Sequence, residues 1–589
     1  MKPRLLAALV AASLIAPATA DASTGVPGRE SEPIVVTGND VPGLLGADPA
    51  KVVAFDWDGG WHQVPVQVDE RKVVDYVTVR QGNQASGRPF SALAYADPGT
   101  FAGADPDPAL DGDDEIAAMA MDAGDGVANG AADPEGVEPG SRVELRIVDS
   151  VDPGPTRFLY LFRSDPSGGL QQSAGRDYVD YDFNLLSGDY KTTYSFSGVS
   201  GGDSTTSGAP ANPEDSTVDT DYYRAHLASR WIGDGLQLRA GGATGADILD
   251  GDKAQVAYGC VRSELTFSRG GGGFIANIDG PVRAIRSYIG ANSGTFTQRD
   301  QIYYQRSEVD TTYLRVHPGI NRISQFLDYS ADAIGMTYRN STDPGGVTID
   351  GVADPSVQTG TGMGPQSTWE QTTGPQGTVS AINRYTTNIE GVTVGSYYED
   401  STTPVASQCS GYADSAAYGA SGAAVQMPGV AGGINTDPTL GTAYDFTGKR
   451  TLFFGGPGGT AATAEKYASQ VDEPLKISLG TKGGSGGSPT LQLRAKGLKR
   501  AKAGKKAKIR AKLKNTGLVT AEGVKVCLST RKAKPGRCAK LKTLEPQEVA
   551  KLKLPMRIDA DAKRKLRVRV KATSENSAGS VDYSKVKLK

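Results

Sequence analysis

Three groups of residues in this chain have types and spacings that could do chemistry. The first surrounds His317. In Thr312–His317, strict alternation puts Tyr313, Arg315 and His317 on one strand face and Leu314 and Val316 on the other. With Arg283 and Arg286 from an earlier strand, that face would hold cations to quench a carboxylate and a His or Tyr base. Those are the parts that β-elimination on an acidic polysaccharide requires. Glycoside hydrolysis would instead need two carboxylates across the scissile bond, for which Glu308, Asp310 and Asp328 are candidates. His226, in DYYRAHLASRW, is a further candidate base, and His62 is the remaining histidine. The competing expectation is an ordinary solvated sheet face whose charges pair locally.

The second group is acidic. In GADPDPALDGDDEIAAMAMDAGDG, Asp105, Asp107, Asp111, Asp113, Asp114 and Glu115 crowd together, with Asp122 and Asp125 close behind. Hard cations such as calcium take six to eight oxygens, and Asp-rich loops punctuated by Gly supply them. So many carboxylates repel one another without a counter-ion. The EF-hand pattern is not met, because Ala109 interrupts the alternation and no glutamate closes a twelve-residue loop. The third group is Trp57 and Trp61 on either side of a DGG turn, placed to face each other at a hairpin tip and to stack on a sugar or on one another.

Other motifs fail on context. GVSGG around Ser200 matches a nucleophile elbow, but the helix that motif needs is replaced by GDSTTSGAPANPED. Gly360–Gly364 has no P-loop lysine or βαβ setting, and no HExxH is present, so no nucleotide cofactor is implied.

The elements that must position these groups are strands. IDGPVRAIRSYIG, DQIYYQRSEVD, TTYLRVHP and RISQFLDY, spanning Ile278–Tyr329, carry β-branched and aromatic residues separated by turn residues. PIVVTG, KVVAFDW, RVELRIVDS, RFLYLFRSD, GTVSAINRYTTN, GVTVGSYYED and RTLFFGG repeat the pattern. Helical periodicity is confined to Ala461–Gln470. With 75 glycines in 589 residues, the expected class is mostly β: a large antiparallel sandwich or super-sandwich, then a small one. The expected divisions are a first lobe over 33–166, a second over 176–480, a Gly/Ser linker over 481–490 and a last domain over 491–589.

The N-terminus, with Lys2 and Arg4, an apolar run and Ala18-Thr19-Ala20, reads as a secretory signal peptide over 1–20, so the mature chain should begin near Asp21. No later stretch is apolar enough to span a bilayer. The four cysteines then suggest disulfides. Spacing favours Cys527–Cys538 as a hairpin staple and Cys260–Cys409 as a long-range tie.

Charge divides the chain. The formal net charge is −3, but from Lys482 onward there are 31 Lys and Arg against 7 Asp and Glu, about +24. The remainder carries 32 against 59, about −27. Such asymmetry points to different partners for the two parts. In KAKIRAKLK and KLRVRVK the basic residues alternate with apolar ones, which places positive charge along a sheet face. Outside the cell its partners would be teichoic acids, acidic polysaccharides, lipopolysaccharide or DNA. No RNP1 or helix-turn-helix pattern supports specific nucleic-acid binding.

This last region, from LQLRAKGLKRAKAGKKAKIRAKLKNTGLVTAEGVKVCLS to LRVRVKATSENSAGSVDYSKVKLK, resembles a CARDB-type, immunoglobulin-like module. The likeness rests on the strand into Asn515-Thr516-Gly517, then Ala521 and the strand Val524–Leu528. It implies a β-sandwich of the kind found in bacterial surface and adhesion proteins, without catalytic residues. The region 33–480 resembles exported proteins of high-GC actinobacteria at Asp279–Arg283 and Leu314–His317, a likeness that implies no activity. The leading expectation is therefore an exported carbohydrate- or envelope-polymer-binding protein attached through its basic tail, with calcium as a possible cofactor. The alternatives are a secreted polysaccharide lyase or hydrolase with its cleft on the 278–329 sheet, and a purely structural surface protein.

Overall fold

The computed structural model describes residues 25–79, 90–186, 189–193, 214–240, 242–257, 273–290, 297–315, 322–357, 364–403, 416–426, 446–480, 491–516, 520–545, 548–562, 565–574 and 580–588. His317, Ser200, Cys260, Cys409, the 1–20 segment and the 481–490 linker lie outside them. Almost every element is a strand in an antiparallel sheet, and no helix among the described residues is long and apolar enough to cross a membrane.

The stretch Ile278–Tyr329 is β-structure, but it is divided between two sheets. Gly273–Ile278, Arg283–Ile289, Thr297–Tyr304 and Ser307–Leu314 run consecutively along one edge of a nine-stranded sheet that continues through Phe446–Gly455 and Gly377–Thr387. Arg322–Tyr329 instead pairs with Leu249–Ala257 and Ala417–Gln426 in an eight-stranded sheet. One apolar cluster contains side chains from both sheets, among them Ala284, Tyr303, Leu452 and Phe454 with Leu227, Leu238, Leu327 and Tyr398. Alternation explains the shared core: Ala284, Arg286 and Tyr288 point one way along their strand, and Arg283, Ile285 and Ser287 the other. The backbones also approach closely. Within the eight-stranded sheet, a Cβ on Gly422 would lie 2.1 Å from the carbonyl oxygen of Gln325 on the neighbouring strand, which accounts for the glycine there.

The other face of the nine-stranded sheet is covered too. Helix Ala461–Asp472 starts at Thr460, whose hydroxyl accepts the Thr463 N–H. It lays Ala464 and Ala468 against Trp369, Ile382 and Phe453. Next to it packs a smaller lobe, built from a three-stranded sheet (Pro33–Thr37, Glu115–Met119, Gln67–Asp69), a hairpin (Arg71–Asp75 with Ser91–Tyr95) and a five-stranded sheet. The edge strand of that five-stranded sheet is Lys476–Leu479, paired with Val143–Val148. The chain therefore returns to its first lobe after completing the second, closing the lobe's core with Leu475 and Ile477. A purely sequential division at 166 and 480 does not anticipate this return.

The tail forms a four-stranded and a five-stranded sheet around its own core, which includes Ile509, Leu513, Val524, Val526, Leu554, Val568 and Val570. Each such side chain, fully buried, contributes about 1.5–3 kcal/mol. Val524, Val526 and Leu528 are buried while Cys527 sits on the opposite face, bonded to Cys538 across a sequence separation of 11.

Candidate functional site

The acidic loop precedes strand Glu115–Met119 and folds back on itself. Asp113 N–H donates to Asp111 Oδ1 (3.0 Å), Asp111 N–H to Asp114 Oδ2 (2.8 Å) and Arg71 N–H to Asp114 Oδ1 (2.8 Å). These bonds converge Asp111, Asp113 and Asp114, each with a carboxylate oxygen within 4.8 Å of the others, an arrangement that could hold a metal ion. Partial burial and the Asp111 carboxylate push Asp113 up to about 6, while the hydrogen bond with Asp113 lowers Asp111. One proton, or one cation, relieves the group. Asp105 and Asp107 do not join it, since their carboxylates close turns onto the Asp107 and Ala109 N–H groups.

Glu115 also leaves the group, because its strand turns it toward the nine-stranded sheet. It accepts from Arg71 Nη1 (2.5 Å), Tyr95 Oη (2.9 Å) and Arg283 Nη2 (2.7 Å). Burial raises its carboxyl, but Arg283 and Arg71 outweigh that and leave it lowered. Arg283 in turn donates from Nε and Nη2 to Asp69 Oδ2 (2.8 and 2.6 Å), and both residues are about 1% exposed. Arg71, whose Nε donates to the Asp113 carbonyl oxygen (2.6 Å), thus ties the acidic loop to a buried ion network between lobe and sheet.

Of the residues expected around His317, the structure brings Tyr313 and Arg315 together at this seam. The Arg315 guanidinium lies 4.4 Å from the Phe90 ring centre, 5.3 Å from Tyr313 and 5.7 Å from Tyr76, and donates to Gln298 Oε1 (2.6 Å). The Tyr313 hydroxyl is raised by burial and by Asp300, with Arg315 opposing. Glu115 and Arg71 act electrostatically on Tyr313, the first raising and the second lowering its hydroxyl, and Glu115 carries the link to Arg283. Arg286 is on the other face, inside the shared core, in a two-pronged pair with Glu214 (2.8 and 3.0 Å). Two of the carboxylates considered for hydrolysis are enclosed there as well, Asp310 paired with Arg450 and Glu308 accepting from Gln301. Asp328 is buried on the other face of the eight-stranded sheet from Leu327 and Tyr329. His226 lies on a strand of the eight-stranded sheet, its ring between Asp234 (2.5 Å) and Asp215 (2.9 Å). Burial opposes its charge, but the two carboxylates prevail and raise it. Among the described residues, these candidates do not share one surface. Asp69, Glu214 and Arg450, which complete the buried pairs, carry no motif in the sequence.

Trp57 and Trp61 do face each other across Val52–Trp57 and Trp61–Val64. Their rings meet edge to face at 5.1 Å, and Trp61 is ringed edge-on by Tyr160 and Phe162, with its indole N–H donated to the Ala132 carbonyl oxygen (2.7 Å). That is aromatic packing; the two rings do not form one flat platform.

The tail's strands separate apolar and basic residues. On Lys506–Asn515, Ile509, Ala511 and Leu513 are buried while Lys508, Arg510 and Lys512 are exposed. The register sets Arg494 opposite Lys512 and Lys512 opposite Lys551, then Lys496 opposite Arg510 and Arg510 opposite Lys553. None of these three strands contains Asp or Glu. Their outer face forms one wall of an open cleft of about 990 Å³, with residues 387–390 on the far side.

No family model matches the chain, and no curated protein does. Among solved structures, the chain is similar to the CARDB domain of a Pyrococcus furiosus protein in complex with di-metal ions, at 18% identity over 18% of this chain and 92% of that one, TM-score 0.15. It is also similar to an alpha-mannosidase from Enterococcus faecalis, at 11% identity over 91% of this chain and 55% of that one, TM-score 0.35. A third is Escherichia coli alpha-2-macroglobulin activated by porcine elastase, at 10% identity over 95% and 53%, TM-score 0.15. The chain spans about half the length of the last two.

Proposed function

We propose that this protein is an extracellular or envelope-associated binder of carbohydrate or anionic polymer, with its basic tail as the attachment module. The observation that supports this is the pair of cross-strand rows Arg494–Lys512–Lys551 and Lys496–Arg510–Lys553. Like charges directly opposite in an antiparallel pair repel, each contact costing a few tenths of a kcal/mol to about 1 kcal/mol. A polyanion laid across the rows removes that repulsion and releases counter-ions. Lysine dominates, so recognition is by point charge rather than by planar, two-pronged geometry.

The test is retention of the mature protein on immobilised acidic glycan. Retention at low salt should vanish by 1 M NaCl, where the screening length falls to about 3 Å. The variant with Arg510→Gln, Lys512→Gln, Lys551→Gln and Lys553→Gln should elute earlier. Retention unchanged between low salt and 1 M would overturn the reading.

Calcium is the ion proposed for Asp111, Asp113 and Asp114, on the strength of an all-oxygen, like-charged donor set. Millimolar calcium should raise the melting temperature of the body and EDTA should reverse the rise. At a hundred times Kd the gain is about 2.7 kcal/mol. Asp113→Asn should abolish it, and an equal gain in that variant would exclude the site.

A further inference from the structure

We infer that the tail is two-faced and joins two separate polyanion chains, an inference that rests on the polymer-binding reading above. The four-stranded sheet is not its only cationic surface. On the five-stranded sheet, Leu566, Val568 and Val570 are buried while Lys565, Arg567, Arg569 and Lys571 are exposed. Lys565 stands opposite Lys587, and Arg567 opposite Lys585. Lys525 stands opposite Lys540 on the neighbouring pair. Arg567 also stacks at 4.4 Å on the half-exposed Tyr583 ring, which holds the guanidinium outward.

The inward side chains of both sheets enter one common core. Their outward side chains must therefore point in opposite directions, away from a layer spacing of about 10 Å. A stiff linear polyanion lying on one face cannot reach the other without rounding an edge. A surface shaped to hold one chain would place its cations on one side. Solubility alone does not need like charges aligned in cross-strand register on both sides, because alternating signs serve that end without the repulsion.

The experiment uses the full mature chain bound to surface-immobilised heparin and then offered fluorescently labelled free heparin. The wild-type protein should capture the second chain. One variant carries Lys496→Gln, Arg510→Gln, Lys512→Gln and Lys553→Gln, the other Lys565→Gln, Arg567→Gln, Lys585→Gln and Lys587→Gln. Each should stay on the surface at low salt, eluting earlier than wild type, yet lose capture at least tenfold. The eightfold variant should elute earlier than either one-face variant. All substitutions are at exposed positions, and Lys/Arg swaps at the same sites should preserve both readouts. Capture that persists in either one-face variant would mean bridging by association of two protein molecules, and the inference would fall. Wild-type protein that binds without capturing a second chain would also overturn it. Absence of any low-salt binding would instead remove the attachment reading beneath it.

Discussion

Replacing Arg283 with alanine should destabilise the body of the protein by about 3–5 kcal/mol, the range for removing one partner of a buried ion pair. Asp69 would lose its buried counter-charge and keep the Gln67 Nε2 bond at 2.8 Å, while Glu115 would keep Arg71 and Tyr95. Burial already raises the Asp69 carboxyl against the pull of Arg283, so without the guanidinium it would take up a proton. Arg283→Lys should recover little, because one ammonium cannot reproduce the Nε and Nη2 bonds to Asp69 together with the bond to Glu115. Glu115→Gln should cost less, since Asp69 keeps its arginine. All four tryptophans (Trp57, Trp61, Trp231 and Trp369) precede the tail. Urea unfolding followed by tryptophan fluorescence therefore reports the body by itself. A loss below about 1 kcal/mol for Arg283→Ala would mean that water reaches the seam and screens the network.

The β-class, most strand positions, the helix Ala461–Asp472 and the Cys527–Cys538 bond are legible in the sequence, because each depends on local periodicity, on turn residues or on short spacing. DYKTTYSFSG, which reads as a strand, instead makes a helical turn at Tyr190–Thr193. The tail is read most fully, since its KAKIRAKLK-type alternation leaves one face per strand for the core. What alternation cannot give is the partner sheet. Ser307–Leu314 and Arg322–Tyr329 look alike and adjoin in sequence, yet they lie in opposite sheets of one core. That crossing puts Arg286 and Asp310 inside and leaves Arg315 and Tyr313 at the seam. The same limit explains the acidic loop. Composition marks every carboxylate from Asp105 to Glu115, but only the backbone bonds to Asp111 and Asp114 select three of them. Glu115 is claimed by an arginine 168 residues away.

The second large effect is expected from pH. Glu370 lies in the Glu370–Gly374 strand, about 4% exposed, and lines an internal space between the two large sheets with Arg450, Asn383 and Gln325. Burial outweighs the attraction of Arg450 and pushes its carboxyl from 4.5 up to about 8. The folded state therefore holds a proton here that the unfolded chain releases near pH 4.5. Between those values the native state binds more protons, so its stability falls as pH rises and levels off above about 8. At about 1.4 kcal/mol per unit, the whole window is worth up to roughly 5 kcal/mol. Glu370→Gln keeps the shape and removes the charge. The variant should match wild type near pH 5 and exceed it by a few kcal/mol at pH 8.5. Asp122 and Asp400, each raised to about 6 by burial, tilt the curve in the same direction. His226, where burial opposes the charge but Asp215 and Asp234 raise it above 6.5, adds a slope of the same sign. The variant therefore keeps a shallower slope throughout, and only the difference between wild type and variant across 6 to 8 belongs to Glu370. Urea midpoints measured across that range decide it. Parallel wild-type and variant curves would mean that Glu370 is ionised in the folded protein, with its charge compensated by Arg450.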